Sequence, residues 1–296
     1  MTGTASLART AGRVLHSRAL LVVGVLVALA VPAFTLPSLP HVTVWPMVVG
    51  SLPWIVGEYI LCALRWRSVT TRFEKAPAGH LWYLRANAEA ELLGLLTPGH
   101  VGADVWRIKR LTHEGVARGD SLLSAGTDRV IGVIGCAAFV VFAARDLPLR
   151  HAAVAGGIGA GLVLAALIGR RLRSRLLPGG ALPCARVLLG ALLMAAAYQL
   201  TIVCMLLGTL HATGHSLAPM SLLAAFGASQ AAGAIPGPNG ASPKDGALVV
   251  ALVALGIPLA AAAAAVALKA ALAWIPAFAL GGVPLLLRRP VAPAAA

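Results

Sequence analysis

Residues 259–287 read LAAAAAAVALKAALAWIPAFALGGVPLLL, an apolar run carrying one charge, Lys269, and followed by Arg288 and Arg289. As a helix rising about 1.5 Å per residue, such a run is long enough to cross a hydrocarbon core of about 30 Å. Comparable runs occupy 20–34, 44–64, 121–144, 152–168 and 185–210. The 296-residue chain is 59% hydrophobic and only 11% charged, which leaves too little polar surface for a water-soluble domain. The expected fold is therefore all-α: a polytopic membrane helix bundle of about seven or eight hydrophobic segments. It forms a single domain, with 1–18 as a basic arm, 19–287 as the bundle and 288–296 as a short tail.

Net charge is +14, from 24 Lys and Arg against 10 Asp and Glu. The basic residues sit at the ends of apolar runs, where they orient the chain and meet anionic lipid headgroups. No aromatic–basic interleaving accompanies them, so nucleic acid is not an expected partner. Arg9, Arg13 and Arg18 place the N-terminus in the cytoplasm, and Arg288 and Arg289 place the C-terminus there too. The expected location is a cell's inner or plasma membrane, with several passes. Pro32 and Leu36 make a poor signal-cleavage site, so 20–34 is read as a retained helix. Cys62, Cys136, Cys184 and Cys204 are scattered and imply neither disulfides nor a metal, and no cofactor is indicated. His211 and His215 flank Gly214 in an expected outer loop and are not expected to bind metal. Trp45, Trp54, Trp66 and Trp82 fall near span ends, as interfacial belts do.

Two stretches break this pattern. Residues 81–96 are only moderately apolar and contain Arg85, Glu89 and Glu91. Arg65, Arg67, Arg72 and Lys75 precede them, while Arg107, Lys109, Arg110 and Arg118 follow. One crossing cannot leave both basic flanks in the cytoplasm; a re-entrant hairpin or an interfacial helix can. Residues 217–258 break at Pro236-Gly237-Pro238-Asn239-Gly240 and are either a second re-entrant hairpin or two short crossings. Pro98-Gly99-His100-Val101-Gly102-Ala103 shares Pro, Gly, Gly and Ala, in register, with Pro236-Gly237-Pro238-Asn239-Gly240-Ala241. A chain rich in Gly and Ala can produce such an echo by chance. Paired broken segments in two halves are also the pointer to a transporter site. Backbone unwound by Pro and Gly is tolerated at membrane depth when packed in protein or lining a wet cavity. Amides freed at a helix start favour an anion such as a lipid phosphate.

An ionisable residue at the membrane centre costs roughly 2.5–3.5 kcal/mol on insertion scales, so it usually pairs or works. Asp128 and Arg129 read as a local pair near the cytoplasmic boundary. Asp104 and Arg107 lie one helical turn apart and can share a face, or simply set topology. Lys269 lies too deep in its helix to reach water easily. A counter-acid such as Asp245 would bring the second broken loop against the last helix. Glu58 either has such a role or packs inside the bundle.

Three motifs then resemble one family. Pro98-Gly99-His100-Val101-Gly102-Ala103-Asp104-Val105-Trp106-Arg107 resembles the Pro-Gly-x-x-Gly-x-Asp-x-x-Arg signature of the flippase-like family. That family is also called the lysylphosphatidylglycerol synthase transmembrane region, or uncharacterised protein family 0104. Asp128-Arg129-Val130-Ile131-Gly132 resembles its Asp-Arg-x-x-Gly motif. Pro238-Asn239-Gly240-Ala241-Ser242-Pro243-Lys244-Asp245 resembles its Pro-Gly-Gly-x-Gly-x-x-Glu motif, with Asn239 and Ser242 in place of glycines and Asp245 in place of glutamate. Lys269 falls where the family often has Arg.

The resemblance implies a membrane module that moves a modified or anionic phospholipid, or a polyprenyl-linked lipid, between leaflets. Substrate-binding residues would be Pro98, Gly99, Gly102, Asp104, Arg107, Asp128, Arg129, Pro238, Gly240, Asp245 and Lys269. No catalytic residue is implied, nor a soluble aminoacyltransferase domain, so the expectation is a translocase rather than an enzyme. A lipid-modifying enzyme is a possible partner. The rival readings are a membrane enzyme acting on a lipid-linked sugar or phosphate, and a non-transporting scaffold for a cell-envelope enzyme.

Overall fold

A computed structural model describes residues 43–97, 100–143, 183–230, 239 and 242–286. The expected helices at 20–34 and 152–168, the arginine cluster at 170–175 and the residues Pro98, Gly99, Pro238 and Gly240 lie outside the described residues. Those that are described form eight helices and no strand. They are α1 (Val44–Thr70), α2 (His80–Leu95), α3 (Val101–His113) and α4 (Arg118–Ala143), then α5 (Ala185–Ala212), α6 (Pro219–Gln230), α7 (Pro243–Ala254) and α8 (Leu259–Leu286). Helices α1, α5 and α8, of 27, 28 and 28 residues, are long and apolar enough to cross a membrane. Three such helices are consistent with a multi-pass membrane protein.

Small residues set the central contact. Helices α1 and α5 run antiparallel, with Gly50 against Gly208 and Gly57 against Thr201. A Cβ on Gly50 would come 2.6 Å from the Cys204 carbonyl oxygen, and one on Gly208 would come 2.5 Å from that of Pro46. Close backbone approach across small residues is how apolar helices associate where lipid offers no hydrophobic drive. Gly208→Val should therefore force the pair apart and destabilise the bundle by about 1–3 kcal/mol. Thermal melting in mild detergent reads this, with Gly190→Val as control, because Gly190 on the same helix faces open space.

Two prolines shape the long helices. Pro53 lies within α1 and Pro276 within α8, and each is followed by a widened π turn, Gly57–Leu61 and Ala277–Gly282. Proline removes a backbone donor, so the helix relaxes into a locally different hydrogen-bond pattern. The first π turn carries Glu58 and Tyr59 into the bundle. The second lets Gly281 pack directly on the backbone of α2 at Ala88.

The moderately apolar stretch 81–96 is a helix that turns back on itself. Helix α2 folds against α3 as an antiparallel hairpin, with Gly94 beside Ala103 and Gly102 against the Leu93 carbonyl. The Thr97 hydroxyl accepts a hydrogen bond from the Gly102 amide at 2.7 Å and donates to the Leu93 carbonyl at 2.9 Å. It thereby caps a helix start that would otherwise leave amides unpaired. His100 enters α3 in the left-handed conformation, φ 57°. Residues 86–95 of α2 are all buried, as befits a helix inside a bundle rather than one lying along its rim.

Helices α6 and α7 also pack against each other, α6 on α4 and α7 on α8. Ser242 caps α7 reciprocally with Asp245, and Pro243 occupies the first turn.

Two expectations need correction. Helix α1 continues beyond residue 64 to Thr70, because Arg65 is a buried, paired residue and not a boundary charge. Trp54 and Trp66 are buried rather than interfacial. Trp66 packs against Trp82, tilted by 36° at a centroid distance of 5.7 Å, and meets Tyr83 edge-on at 5.0 Å, and its indole donates to Ser124 Oγ at 3.1 Å.

Candidate functional site

Three charged groups surround the hairpin α2–α3. The first is buried. Asp128 on α4, 2% exposed, accepts from Arg65 Nε at 2.7 Å and Arg65 Nη2 at 3.1 Å. Its Oδ2 also accepts from Arg107 Nη1 at 3.3 Å. Arg107 reaches onward to the Asn87 amide oxygen and, at 3.5 Å, to Glu91 Oε1. Asn87 in turn donates to the Glu58 backbone carbonyl at 2.9 Å. Glu58 accepts from the Tyr198 hydroxyl. One connected chain, Arg65–Asp128–Arg107–Asn87–Glu58–Tyr198, thus joins α1, α2, α3, α4 and α5, with Glu91 beside Arg107. Charges this dry are tolerable only when paired and hydrogen-bonded.

The second group is open to solvent. Arg129 donates to Asp104 through Nε at 2.9 Å and to the His100 carbonyl through Nη2 at 3.1 Å. The Arg129 side chain is 48% exposed and that of Asp104 26%. Neighbouring residues on α3 and α4 therefore form two rungs, Asp104–Arg129 outside and Arg107–Asp128 inside. Asp128 and Arg129 do not pair with each other, contrary to expectation. Adjacent residues on a helix point about 100° apart and cannot face one another. Asp104 and Arg107, one helical turn apart, serve different partners, Arg129 and Asp128.

The third group closes the second break. Lys269 Nζ lies 3.4 Å from Asp245 Oδ1, with side chains 16% and 3% exposed. Asp245 also accepts from the Ser242 hydroxyl at 2.6 Å, and the Asn239 amide donates to the Ala270 carbonyl at 3.2 Å. The broken loop is thereby held against α8, as the depth of Lys269 anticipated. The two acid–base pairs are alike in spacing: Asp104 and Arg129 are 25 residues apart, Asp245 and Lys269 are 24.

Charges beside both breaks act on His100. The imidazole of His100, at the tip of the first hairpin, sits in the positive field of Lys244, Arg129, Arg107 and Lys269. Cys136 on α4 also feels Lys244. Half-buried His100 is 3.9 Å from Glu91 through Nδ1, so the tip links the open cationic zone to the buried chain. Such a zone of convergent cations can bind an anion.

Of the candidate residues, Asp104, Arg107, Asp128, Arg129, Asp245 and Lys269 all lie in this region. Gly102 has a packing role, since any side chain there would strike Leu93 and Thr97. Arg65, Asn87, Glu91 and Tyr198 were not singled out from sequence as site residues. The seven-residue interval between Glu58 and Arg65, two helical turns, was the available signal for one of them. Among the described residues no group of His, Cys, Asp and Glu is placed to hold a metal ion. His211 and His215 bond instead to the carbonyls of Leu207 and Thr213, each at 2.8 Å.

No family model matches the chain, and no curated protein or solved structure matches it, so the flippase-like resemblance rests on its three motifs alone.

Proposed function

We propose that the protein is a lipid translocase of the cell membrane, and that α2–α3 and α6–α7 are re-entrant hairpins entering from opposite faces. Length supports this. Helices α2, α3 and α7 have 16, 13 and 12 residues, or about 24, 20 and 18 Å, too short for a core of about 30 Å. Charge supports it as well. Arg67, Arg72 and Lys75 precede the first hairpin, Lys109 and Arg110 lie toward the end of its second helix and Arg118 follows it, whereas 211–218 and 255–258 contain no Lys or Arg. Antiparallel α1 and α5 then begin two halves of opposite orientation, each a long helix, a broken hairpin and a second long helix. Inverted repeats with interrupted elements are a recurrent transporter plan.

The observation that carries the reading is the convergence on His100 of positive charge from both hairpin regions, Arg107 and Arg129 from the first and Lys244 and Lys269 from the second. A site made from two elements entering from opposite sides can open to one leaflet and then the other. The cations would hold the phosphate of an anionic headgroup while its acyl chains stay in lipid.

The test is transbilayer movement of fluorescent phosphatidylglycerol in proteoliposomes. The wild type is expected to exceed empty vesicles clearly. Lys269→Gln, which removes a cation and leaves Asp245 buried without its partner, is expected to lower the rate at least tenfold. Wild-type movement no faster than empty vesicles, across anionic and polyprenyl-phosphate probes, would refute the proposal.

A further inference from the structure

The mouth of the first hairpin, where α2 begins and α3 ends, carries charges of its own, apart from those around Asp128. The two helix ends lie side by side, since the Trp82 indole donates to Glu114 Oε1 at 2.9 Å. Between the helices Glu89 is fully buried. Its Oε1 accepts from Arg85 Nε at 3.2 Å, while its Oε2 accepts from the Trp106 indole at 3.1 Å and lies 3.5 Å from Arg110 Nε. Two guanidiniums thus flank one carboxylate. Lys109 adds a third cation, its ammonium 5.5 Å from the centre of the Trp106 ring. Three cations then face two acids, Glu89 and Glu114, and the mouth keeps a surplus positive charge.

Both arginines approach Glu89 through Nε, at the root of the guanidinium fork. Among the described residues, their terminal Nη nitrogens have no hydrogen-bond acceptor. The Arg110 guanidinium is held over the Trp82 ring, 5.3 Å from its centre, and the Arg85 side chain is 51% exposed. Two forks anchored in this way present donors suited to phosphate oxygens. From the mouth toward the tip, Val105 and Val101 continue the face of α3 that carries Lys109, one and two turns on, exposed by 39% and 58%. A cationic end in line with exposed valines suits a molecule with a charged head and an apolar tail.

We propose that Arg85 and Arg110 bind the phosphate of an anionic phospholipid, one acyl chain of which lies along Val105 and Val101. The occupant is a lipid rather than a soluble phosphate, because the apolar face continues from the cations. Tryptophan beside arginine is also the pairing found at headgroup depth. Glu89 is the positioning residue: it fixes both forks, and the one positive charge left in excess is cancelled by a phosphodiester. The phosphate site lies at the opposite end of the hairpin from His100, and it stands whether or not the protein moves lipid.

The experiment is photolabelling of the full chain in mild detergent, using phosphatidylglycerol with a diazirine in one acyl chain and mapping the label by mass spectrometry. Label is expected on α3 between Val101 and Lys109, displaced by unlabelled phosphatidylglycerol but not by phosphatidylcholine or glycerol phosphate. Arg85→Gln should raise the lipid concentration that gives half-maximal labelling about fivefold, and Arg85→Gln with Arg110→Gln about twenty-five-fold, the range for basic residues at a membrane surface. The Arg85 side chain is half exposed, so the single variant keeps the fold and decides the matter even if the double variant melts early. Lys269→Gln, in the zone around His100, should leave the labelling unchanged. Label missing from α3, undiminished in Arg85→Gln, lost in Lys269→Gln or displaced equally by phosphatidylcholine would overturn the site. Displacement by glycerol phosphate as readily as by phosphatidylglycerol would make the ligand a soluble phosphate and overturn the lipid.

Discussion

Asp128→Ala is expected to lower the stability of the bundle by about 3–5 kcal/mol, the range for stranding buried charges by removing their partner. Asp128 is 2% exposed and is the shared acceptor of Arg65 and Arg107, so its loss leaves two guanidiniums facing each other in a dry interior. Asp128→Asn should be nearly as damaging, because the amide keeps the shape but supplies no negative charge. Thermal unfolding in mild detergent measures both. Trp66 fluorescence is a local reporter, since its ring lies 5.5 Å from the Arg107 guanidinium and its indole bonds to Ser124 on α4. Arg129→Gln provides the contrast. Its pair with Asp104 is half open to solvent, and exposed ion pairs contribute about 1 kcal/mol or less. If Asp128→Ala melted no lower than Arg129→Gln, the buried chain would not be an organising element of the fold.

The long helices were legible because length and hydropathy alone decide whether a helix can span lipid. Helices α5 and α8 lie within a few residues of the runs read from sequence. The end of α1 was not legible. Arg65 stands beside Arg67 after an apolar run, and a basic residue in that place usually marks a boundary. Only its distant partner on α4 distinguishes a structural Arg65 from an orienting one. The hairpin α2–α3 was half legible. Basic flanks excluded a single crossing, yet the choice between a buried hairpin and a surface helix depended on Gly94, Gly102 and Gly281, whose meaning lies in what they touch.

The candidate site divides in the same way. Lys269 announced its need for a counter-acid because nothing else polar shares its helix, and Asp245 provides it. Asp128 and Arg129 misled because adjacency in sequence was taken for adjacency in space. Asn87, Glu91 and Tyr198 stayed hidden for a different reason. A Glu or Asn in a short mixed segment reads as diminished hydrophobicity, and a Tyr in a long helix reads as core. Their chemistry exists only once α1, α2 and α5 are brought together.

On the proposed translocase reading, Arg107→Lys is expected to lower lipid movement tenfold or more, while costing much less stability than Asp128→Ala. Arg107 serves three groups at once, Asp128, Asn87 and Glu91, through a planar fork. Lysine keeps the positive charge that Asp128 requires, so the core of the buried chain stays neutralised. A single ammonium on a flexible stem cannot hold Asp128 and also present donors toward Glu91 or an incoming phosphate. The substitution therefore separates two duties: balancing Asp128, which charge alone satisfies, and the proposed binding of a headgroup phosphate, which needs the guanidinium. Flux of labelled phosphatidylglycerol, measured beside the melting temperature, resolves them. A lysine variant that moves lipid at the wild-type rate would reduce Arg107 to a structural cation and shift the burden of headgroup binding to Arg129, Lys244 and Lys269, the other cations around His100.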